Sequence, residues 1–218
     1  MSVLLVASLL AAAGVAGGLM SRPRRRGVDY QELLHGSRVP IRKVVAGQPA
    51  KISGRVRLTG PPLVAPLTGR RCAGYEVEVR EREDAWQRIV AEVAGTDFLV
   101  EDPEGGTALV KAEQALLVLA EDGEAAVSGL ALADRLIALL QRQGRMREVE
   151  LQYDLEDLYF VERILAPGKR VSVVGVGGWE PNTDPQAAHS YRAMAERLVL
   201  RAQGPGSLLI SDDPAVIG

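Results

Sequence analysis

Cysteine is almost missing from this chain: Cys72 is the only one in 218 residues, beside two histidines, His35 and His189. One thiol cannot close an intramolecular disulfide, which suits a reducing compartment. A Cys/His zinc module is excluded as well, because a structural zinc site takes four ligands. No metal and no cofactor is expected. Aromatic residues are also scarce, at 4%, so the basic-aromatic interleaving that stacks single-stranded nucleic acid is absent. Positive charge is not in excess. The 26 Lys and Arg face 28 Asp and Glu; without Arg22, Arg24, Arg25 and Arg26 the balance is 22 against 28, or −6. Nucleic-acid binders need a basic stripe, which disfavours an OB-like nucleic-acid-binding module. A disordered composition is missing too, since 47% of the residues are hydrophobic; only the stretch around Glu180–Ala188 is polar enough to suggest it.

Charge is absent from Ser2 to Ser21 and then returns as Arg22, Arg24, Arg25 and Arg26. The uncharged Val3–Met20 run is 18 residues long. As a helix it spans about 27 Å, just enough for a hydrocarbon core of about 30 Å. Basic flanks stay on the cytoplasmic side, so the expectation is an N-terminal transmembrane anchor with the rest of the chain facing the cytoplasm. The competing reading is a cleaved secretory signal, with small residues at Ala11–Ala13 and Ala16–Gly18 offering cleavage sites. Against it, no Lys or Arg precedes the apolar run, where a signal peptide needs positive charge. The Arg cluster also stands on the side that would have to be translocated. Gly14, Gly17 and Gly18 weaken the span and suit a tilted or closely packed helix. The expected division is an anchor over 1–26, a juxtamembrane connector over 27–46, one domain over 47–213 and a tail over 214–218.

Asp29–His35 reads as a short amphipathic helix or turn. From Lys51 the period becomes two: Ile52, Val56 and Leu58 alternate with Ser53, Arg55 and Arg57, the pattern of a half-buried strand. Pro61, Pro62, Pro66 and Gly69 mark a loop, and Ala73, Tyr75, Val77 and Val79 then alternate with Glu76, Glu78 and Arg80. Phe98–Val100 and Ala108–Val110 flank Glu101-Asp-Pro-Glu-Gly-Gly-Thr107 and read as a hairpin. Ala115–Leu119 is a further strand. Leu132, Leu136, Ile137, Leu139 and Leu140 recur at helical spacing, with Gly144 as the stop. Val149, Leu151, Tyr153 and Leu155 alternate again. Lys169–Gly177 is Val-rich after the Pro167-Gly168 turn, and short strands are expected at Arg197–Arg201 and Leu208–Ile210. About nine short strands and one main helix make a β-dominated α+β domain, barrel- or sandwich-like. A similarity between Gly47–Val56 and Gly168–Val176 hints at two small barrel-like halves.

Four segments carry a resemblance. KISGRVRLTGPPLVAPLTGRRCAGYEVEVRERE (51–83) resembles the opening block of the GIDE, or "beside a membrane", domain family. FLVEDPEGGTALV (98–110), YFVERILAPGKRVSVVGVG (159–177) and GSLLISDD (206–213) resemble its later blocks, in order. The residues that match are Gly54, Pro66, Leu67, Gly69, Cys72, Tyr75, Asp102, Gly105, Glu162, Pro167, Gly168, Gly175 and Ser211. The best-known relatives are mitochondrial and chloroplast outer-membrane E3 ubiquitin ligases, with two transmembrane helices around this domain and a C-terminal RING finger that holds the ligase activity. This sequence has no second apolar span and too few Cys and His for a RING, so no ligase residue carries over. The resemblance implies a single-pass, membrane-anchored recognition or scaffold module without catalysis, its partners the lipid bilayer and a protein. The alternative is the recognition component of a ubiquitin-like ligase whose RING sits on another chain.

Cys72 as a nucleophile would need a base such as His189 beside it, and packing is the simpler role. Cys72 is also out of phase with Ala73, Tyr75 and Val77, which puts it on the other face or at a bulge. Gly175–Gly178 lacks the Gly-Lys-Ser/Thr ending of a phosphate loop, so its glycines are expected to mark close backbone approach. The acids Asp154, Glu156 and Asp157, and the set Glu101, Asp102 and Glu104, lack calcium-loop spacing. Trp86 is a candidate partner or headgroup contact together with Arg22, Arg24, Arg25 and Arg26, or else the cap of a hairpin; Trp179 has the same two options. The Leu132–Leu140 stripe is expected to pack on the sheet.

Overall fold

A computed structural model describes residues 34–81, 88–120, 130–152, 158–182 and 196–217. The Val3–Met20 run, Arg22–Arg26, Trp86, Asp154–Asp157 and His189 lie outside the described residues. No helix among the described residues is long and apolar enough to cross a membrane.

Twelve strands and three short α-helices are described, so the β-dominated expectation holds with more strands than the nine anticipated. Strands β1 (Pro49–Leu58), β6 (Phe98–Glu101), β7 (Thr107–Lys111), β11 (Glu196–Arg201) and β10 (Arg170–Pro181) pair in that ring order. The ring closes through β10 back onto β1. Four of the five contacts are antiparallel, and β7–β11 is parallel. This is a small five-stranded barrel of OB-like topology. On one flank β10 carries β1; on the other it carries β12 (Leu209–Ser211) and then β11, and β8 (Leu116–Val118) extends the sheet beyond β12.

A second layer is inserted into the barrel connections. Strands β5 (Arg88–Gly95), β4 (Gly74–Glu81) and β9 (Leu158–Leu165) form an antiparallel sheet. The two-residue strands β2 (Leu63–Val64) and β3 (Arg71–Cys72) pair beside it. Helices α1 (Leu130–Arg142) and α2 (Met146–Gln152) contribute to the core on one face of that sheet. There are accordingly two large cores among the described residues, besides a small cluster of Leu34, Val174, Leu209 and Val216. Phe98, Val100, Ile52, Val173, Leu198 and Leu200 fill the barrel. Tyr75, Val77, Val79 and Ile164 pack with Leu136, Leu139, Leu140 and Val149 in the second, as the helical stripe predicts.

Gly144 stops α1 as expected, in the left-handed region at φ +67°. Its N–H bonds to Gln141 O at 3.0 Å and that of Arg145 to Leu140 O at 2.9 Å, a Schellman closure.

Several expectations are corrected. Val149 and Leu151 belong to α2 rather than a strand, with Val149 buried and Leu151 76% exposed; their two-residue spacing also fits a single helical turn with one residue in and one out. Tyr153 and Leu155 lie outside the described residues. Ala73 does not share a face with Tyr75 and Val77: it enters the barrel core, whereas Cys72 joins Tyr75 and Val77 in the second core. The chain breaks phase between β3 and β4, where Ala73 N bonds Leu165 O. Ser53 and Lys51 are buried, although alternation put Ser53 on the open face. Residues 34–36 and α3 (Pro214–Ile217) account for this. Lys51 Nζ donates to Gly36 O at 2.9 Å, Ser53 Oγ meets Ser172 Oγ at 2.7 Å, and Ser172 Oγ lies 3.2 Å from Val216 O. Finally, Gly47–Val56 and Gly168–Val176 are not two barrel halves. They are the paired strands β1 and β10 of one barrel, with Gly54 opposite Val171 and Gly175 opposite Ala50.

Candidate functional site

Five of the thirteen matched residues converge on one loop. Residues 65–70 turn back so that Ala65 N bonds Arg70 O and Gly69 N bonds Ala65 O, both at 2.9 Å. Gly69 takes φ +70°, and a Cβ there would lie 2.7 Å from the Arg135 guanidinium. The loop presents two successive backbone N–H groups, a small anion-binding nest. Glu162 from β9 fills it: Oε1 accepts Leu67 N at 2.7 Å and Oε2 accepts Thr68 N at 3.0 Å. Arg135 of α1 donates Nη1 to Leu67 O at 3.0 Å. Pro66 begins the turn, Leu67 is buried, and Cys72 follows on β3. Glu162 shares its sheet face with Ile164, so it is a carboxylate at an apolar phase of its strand, buried because the loop satisfies it.

Cys72 is fully buried, its Sγ 3.7 Å from Leu63 O. Burial, reinforced by the Glu162 charge, pushes its thiol up to about 11. A nucleophilic cysteine needs the opposite shift. Tyr75 donates its hydroxyl to Glu92 Oε1 at 2.5 Å, and burial followed by that carboxylate raises the phenol to about 12. Glu92 also accepts Arg142 Nη2 at 3.0 and 2.9 Å and Gln143 Nε2 at 2.5 Å. Burial alone would raise Glu92, but the bonds from Tyr75, Arg142 and Gln143 outweigh it and hold its carboxyl below the usual value. This carboxylate ties β5, β4 and the end of α1 together.

The other matched residues hold the barrel. Asp102 is buried at the β6–β7 turn, where Oδ2 accepts Ile41 N at 2.8 Å and Oδ1 accepts Gly106 N at 2.6 Å. A 3-10 turn (Ile41–Lys43) thereby seats Ile41 in the barrel core, and Gly105 supplies the left-handed turn residue at φ +77°. Glu104 pairs with Arg38 and Glu101 with Arg57. The three acids of this hairpin are thus committed to separate partners, and among the described residues no cluster of three or more His, Cys, Asp or Glu could hold a metal.

A Cβ on Gly54 would sit 2.3 Å from Glu101 O, so β1 passes β6 at backbone contact there. Gly175 is packed under Leu208 and Gly177 under Leu198, whereas a Cβ on Gly178 would meet open space, so close approach explains the first two glycines of the Gly175–Gly178 run and not the last. The Pro167-Gly168 turn is clasped by Gly168 N to Val56 O at 2.8 Å, and Ser211 Oγ accepts Asp213 N at 3.2 Å ahead of α3. Trp179 is partly buried against the barrel core and donates Nε1 to Val44 O at 3.1 Å.

A charged cluster that sequence inspection missed occupies the opposite face of the inserted sheet. Glu76 lies 3.9 Å from Arg163 across β4–β9, and Glu78 pairs with Arg80 and, at 3.6 Å, with Arg88. Asp212 is buried; it accepts Ala120 N at 2.6 Å and pairs with Lys169 Nζ at 2.5 Å. Burial raises Glu76 to about 7, with Glu78 and Asp212 adding to the rise and Arg163 opposing it. The alternation of β4 announced these charges but not their neighbours, which come from β5, β9, the turn before β10 and the segment after β12. No family model, curated protein or solved structure matches the chain.

Proposed function

We propose that this chain is a membrane-anchored, cytoplasm-facing recognition or scaffold module that carries out no chemistry of its own. The single observation behind the proposal is the use made of the resemblance-bearing residues. Glu162, Asp102, Gly54, Gly69 and Gly168 act on backbone groups of the fold, and Cys72 is a buried thiol raised to about 11. Such residues shape the fold itself. The membrane part of the proposal rests on the uncharged Val3–Met20 run and the arginines behind it.

The test has two arms. The full-length chain is expected to stay with membranes through alkaline carbonate washing with an intact N-terminus; a mature form beginning near residue 17 or 19 refutes the anchor. Mixed with E1, E2 and ATP, the purified chain is expected to discharge no ubiquitin and to contain no stoichiometric zinc. A thioester trapped on Cys72 would overturn the non-catalytic assignment. Stoichiometric co-purification of a zinc-finger ligase from detergent extracts would move it to the ligase-component alternative.

A further inference from the structure

We propose that the turn Val45–Gln48 and the bases beside it, Arg42 and Lys43, are where the folded domain rests on an anionic phospholipid surface. The inference rests on the membrane-anchored reading above and adds to it an orientation and a lipid class. Charge is divided unevenly along the chain. Of its 26 Lys and Arg, seven fall between Arg22 and Lys43, where only two of its 28 acids do; the residues after Lys43 hold the other 19 and 26. An anionic surface therefore attracts the segment that enters the barrel and repels the sequence that follows it.

The local structure presents that segment outward. The 3-10 turn (Ile41–Lys43) sends Ile41 into the barrel core and leaves Arg42 and Lys43 exposed. Val44 is buried again; Val45 is 65% exposed, and Ala46 after it is exposed too. Val45–Gln48 is a type II turn, with Gln48 N bonded to Val45 O at 3.2 Å and Gly47 at φ +77°. Gly47 N to Gly177 O at 2.9 Å and Trp179 Nε1 to Val44 O at 3.1 Å fix it to the barrel. An apolar tip with cations at its base suits a headgroup boundary, the tip entering the acyl edge and the charges staying at phosphate level. Ion pairs do not consume those charges. Arg42 donates to a neutral carbonyl, Gly105 O at 3.3 Å, and among the described residues neither Arg42 nor Lys43 has a carboxylate within 4 Å. Glu104, on the adjoining hairpin, is held by both terminal nitrogens of Arg38 at 3.0 and 2.9 Å.

The tether is long enough for the contact. Leu34 shares a buried cluster with Val174, and Gly47 bonds Gly177, three residues or about 10 Å farther along β10. Eight residues separate Arg26 from Leu34, a reach of at most about 28 Å. The turn can therefore meet the bilayer while Leu34 keeps its packing.

Fluorescent labels on Val45→Cys and, separately, on Val93→Cys test the contact in the full-length chain reconstituted into vesicles. Val93 is the control, 59% exposed on β5 of the inserted sheet, and the native Cys72 is buried away from the label. One set of vesicles is phosphatidylcholine, the other adds phosphatidylserine, and both carry lipids with a quencher in the acyl chain. Flotation after alkaline carbonate washing reports the anchor separately. The expected result is flotation with both sets, strong quenching at 45 with phosphatidylserine, weaker quenching at 45 without it, and none at 93. Arg42→Gln combined with Lys43→Gln should lower the immersed-to-free ratio of the label at 45 by about tenfold or more. Both replaced side chains are exposed, and an unchanged circular dichroism spectrum verifies the fold. Protein that floats with the label at 45 as unquenched as that at 93 refutes the contact and leaves the anchor standing. Equal quenching at 45 in both lipids, or quenching that survives the double substitution, refutes the anionic-lipid assignment. Protein that floats with neither set refutes the anchor, and the contact with it.

Discussion

Replacing Glu162 puts the loop clasp to a quantitative test. Its carboxylate accepts Leu67 N at 2.7 Å and Thr68 N at 3.0 Å inside the second core. Hydrogen bonds to a charged group contribute roughly 1.5–3 kcal/mol each, and a buried donor left unpaired costs about 1–3 kcal/mol. Glu162→Ala strands two donors; partial entry of water brings the expected loss to about 3–4 kcal/mol. Glu162→Gln keeps the volume and one acceptor but turns an NH2 toward the second N–H, for an expected loss of about 2 kcal/mol. Urea unfolding measures both variants. Amide exchange at Leu67 and Thr68 should quicken about 30-fold in Glu162→Gln, the local equivalent of that energy. Arg135 holds the same loop through Leu67 O, so Arg135→Gln should be non-additive with Glu162→Gln by more than about 0.5 kcal/mol. If Glu162→Gln unfolds within about 0.5 kcal/mol of the parent with both amides equally protected, Glu162 does not hold the loop.

Cys72, raised to about 11, should react with a disulfide reagent at pH 7 only as fast as the fold opens, and quickly in urea; rapid labelling of the native chain would contradict its burial. Glu76 tests pH linkage. Its carboxyl rises from 4.5 to about 7, so protonation favours the folded state; this contribution is full below about pH 4.5 and disappears as pH rises toward 7. At about 1.4 kcal/mol per tenfold the shift is about 3 kcal/mol, reduced by solvent screening to about 1–2 kcal/mol. Glu76→Gln should therefore gain that much over the parent at pH 8 relative to pH 4, and an equal difference at both values would refute the linkage. Gly54→Ala meets a backbone carbonyl at 2.3 Å, Gly175→Ala only the end of Leu208 at 2.8 Å. The first should cost about 3 kcal/mol or more and the second about 1 kcal/mol, and a reversed order in thermal unfolding would show that β1 and β6 are not so close.

Local physics made much of this protein legible from its sequence. Alternation placed β4, the Pro-Glu-Gly-Gly turn placed the β6–β7 hairpin, and the Leu136–Leu140 stripe with Gly144 placed α1 and its end, because each signal depends on residues within a few positions of one another. Cys72, expected to pack, is buried. The sequence also bounded the chemistry, since one cysteine and two histidines exclude a four-ligand Cys/His zinc site whatever the fold. What joins distant segments was decided only in three dimensions. Ring closure of β1 onto β10, the burial of Ser53 beneath α3, and the passage of Ala73 into a different core from Tyr75 depend on which surface arrives from elsewhere, and period-two patterning is silent on that. Glu162 illustrates the division. In the sequence it stands out only as a residue of the resemblance, with no strand expected over 158–165; the Leu67 and Thr68 donors lie 95 and 94 positions away, and tertiary structure alone brings a carboxylate and its nest together.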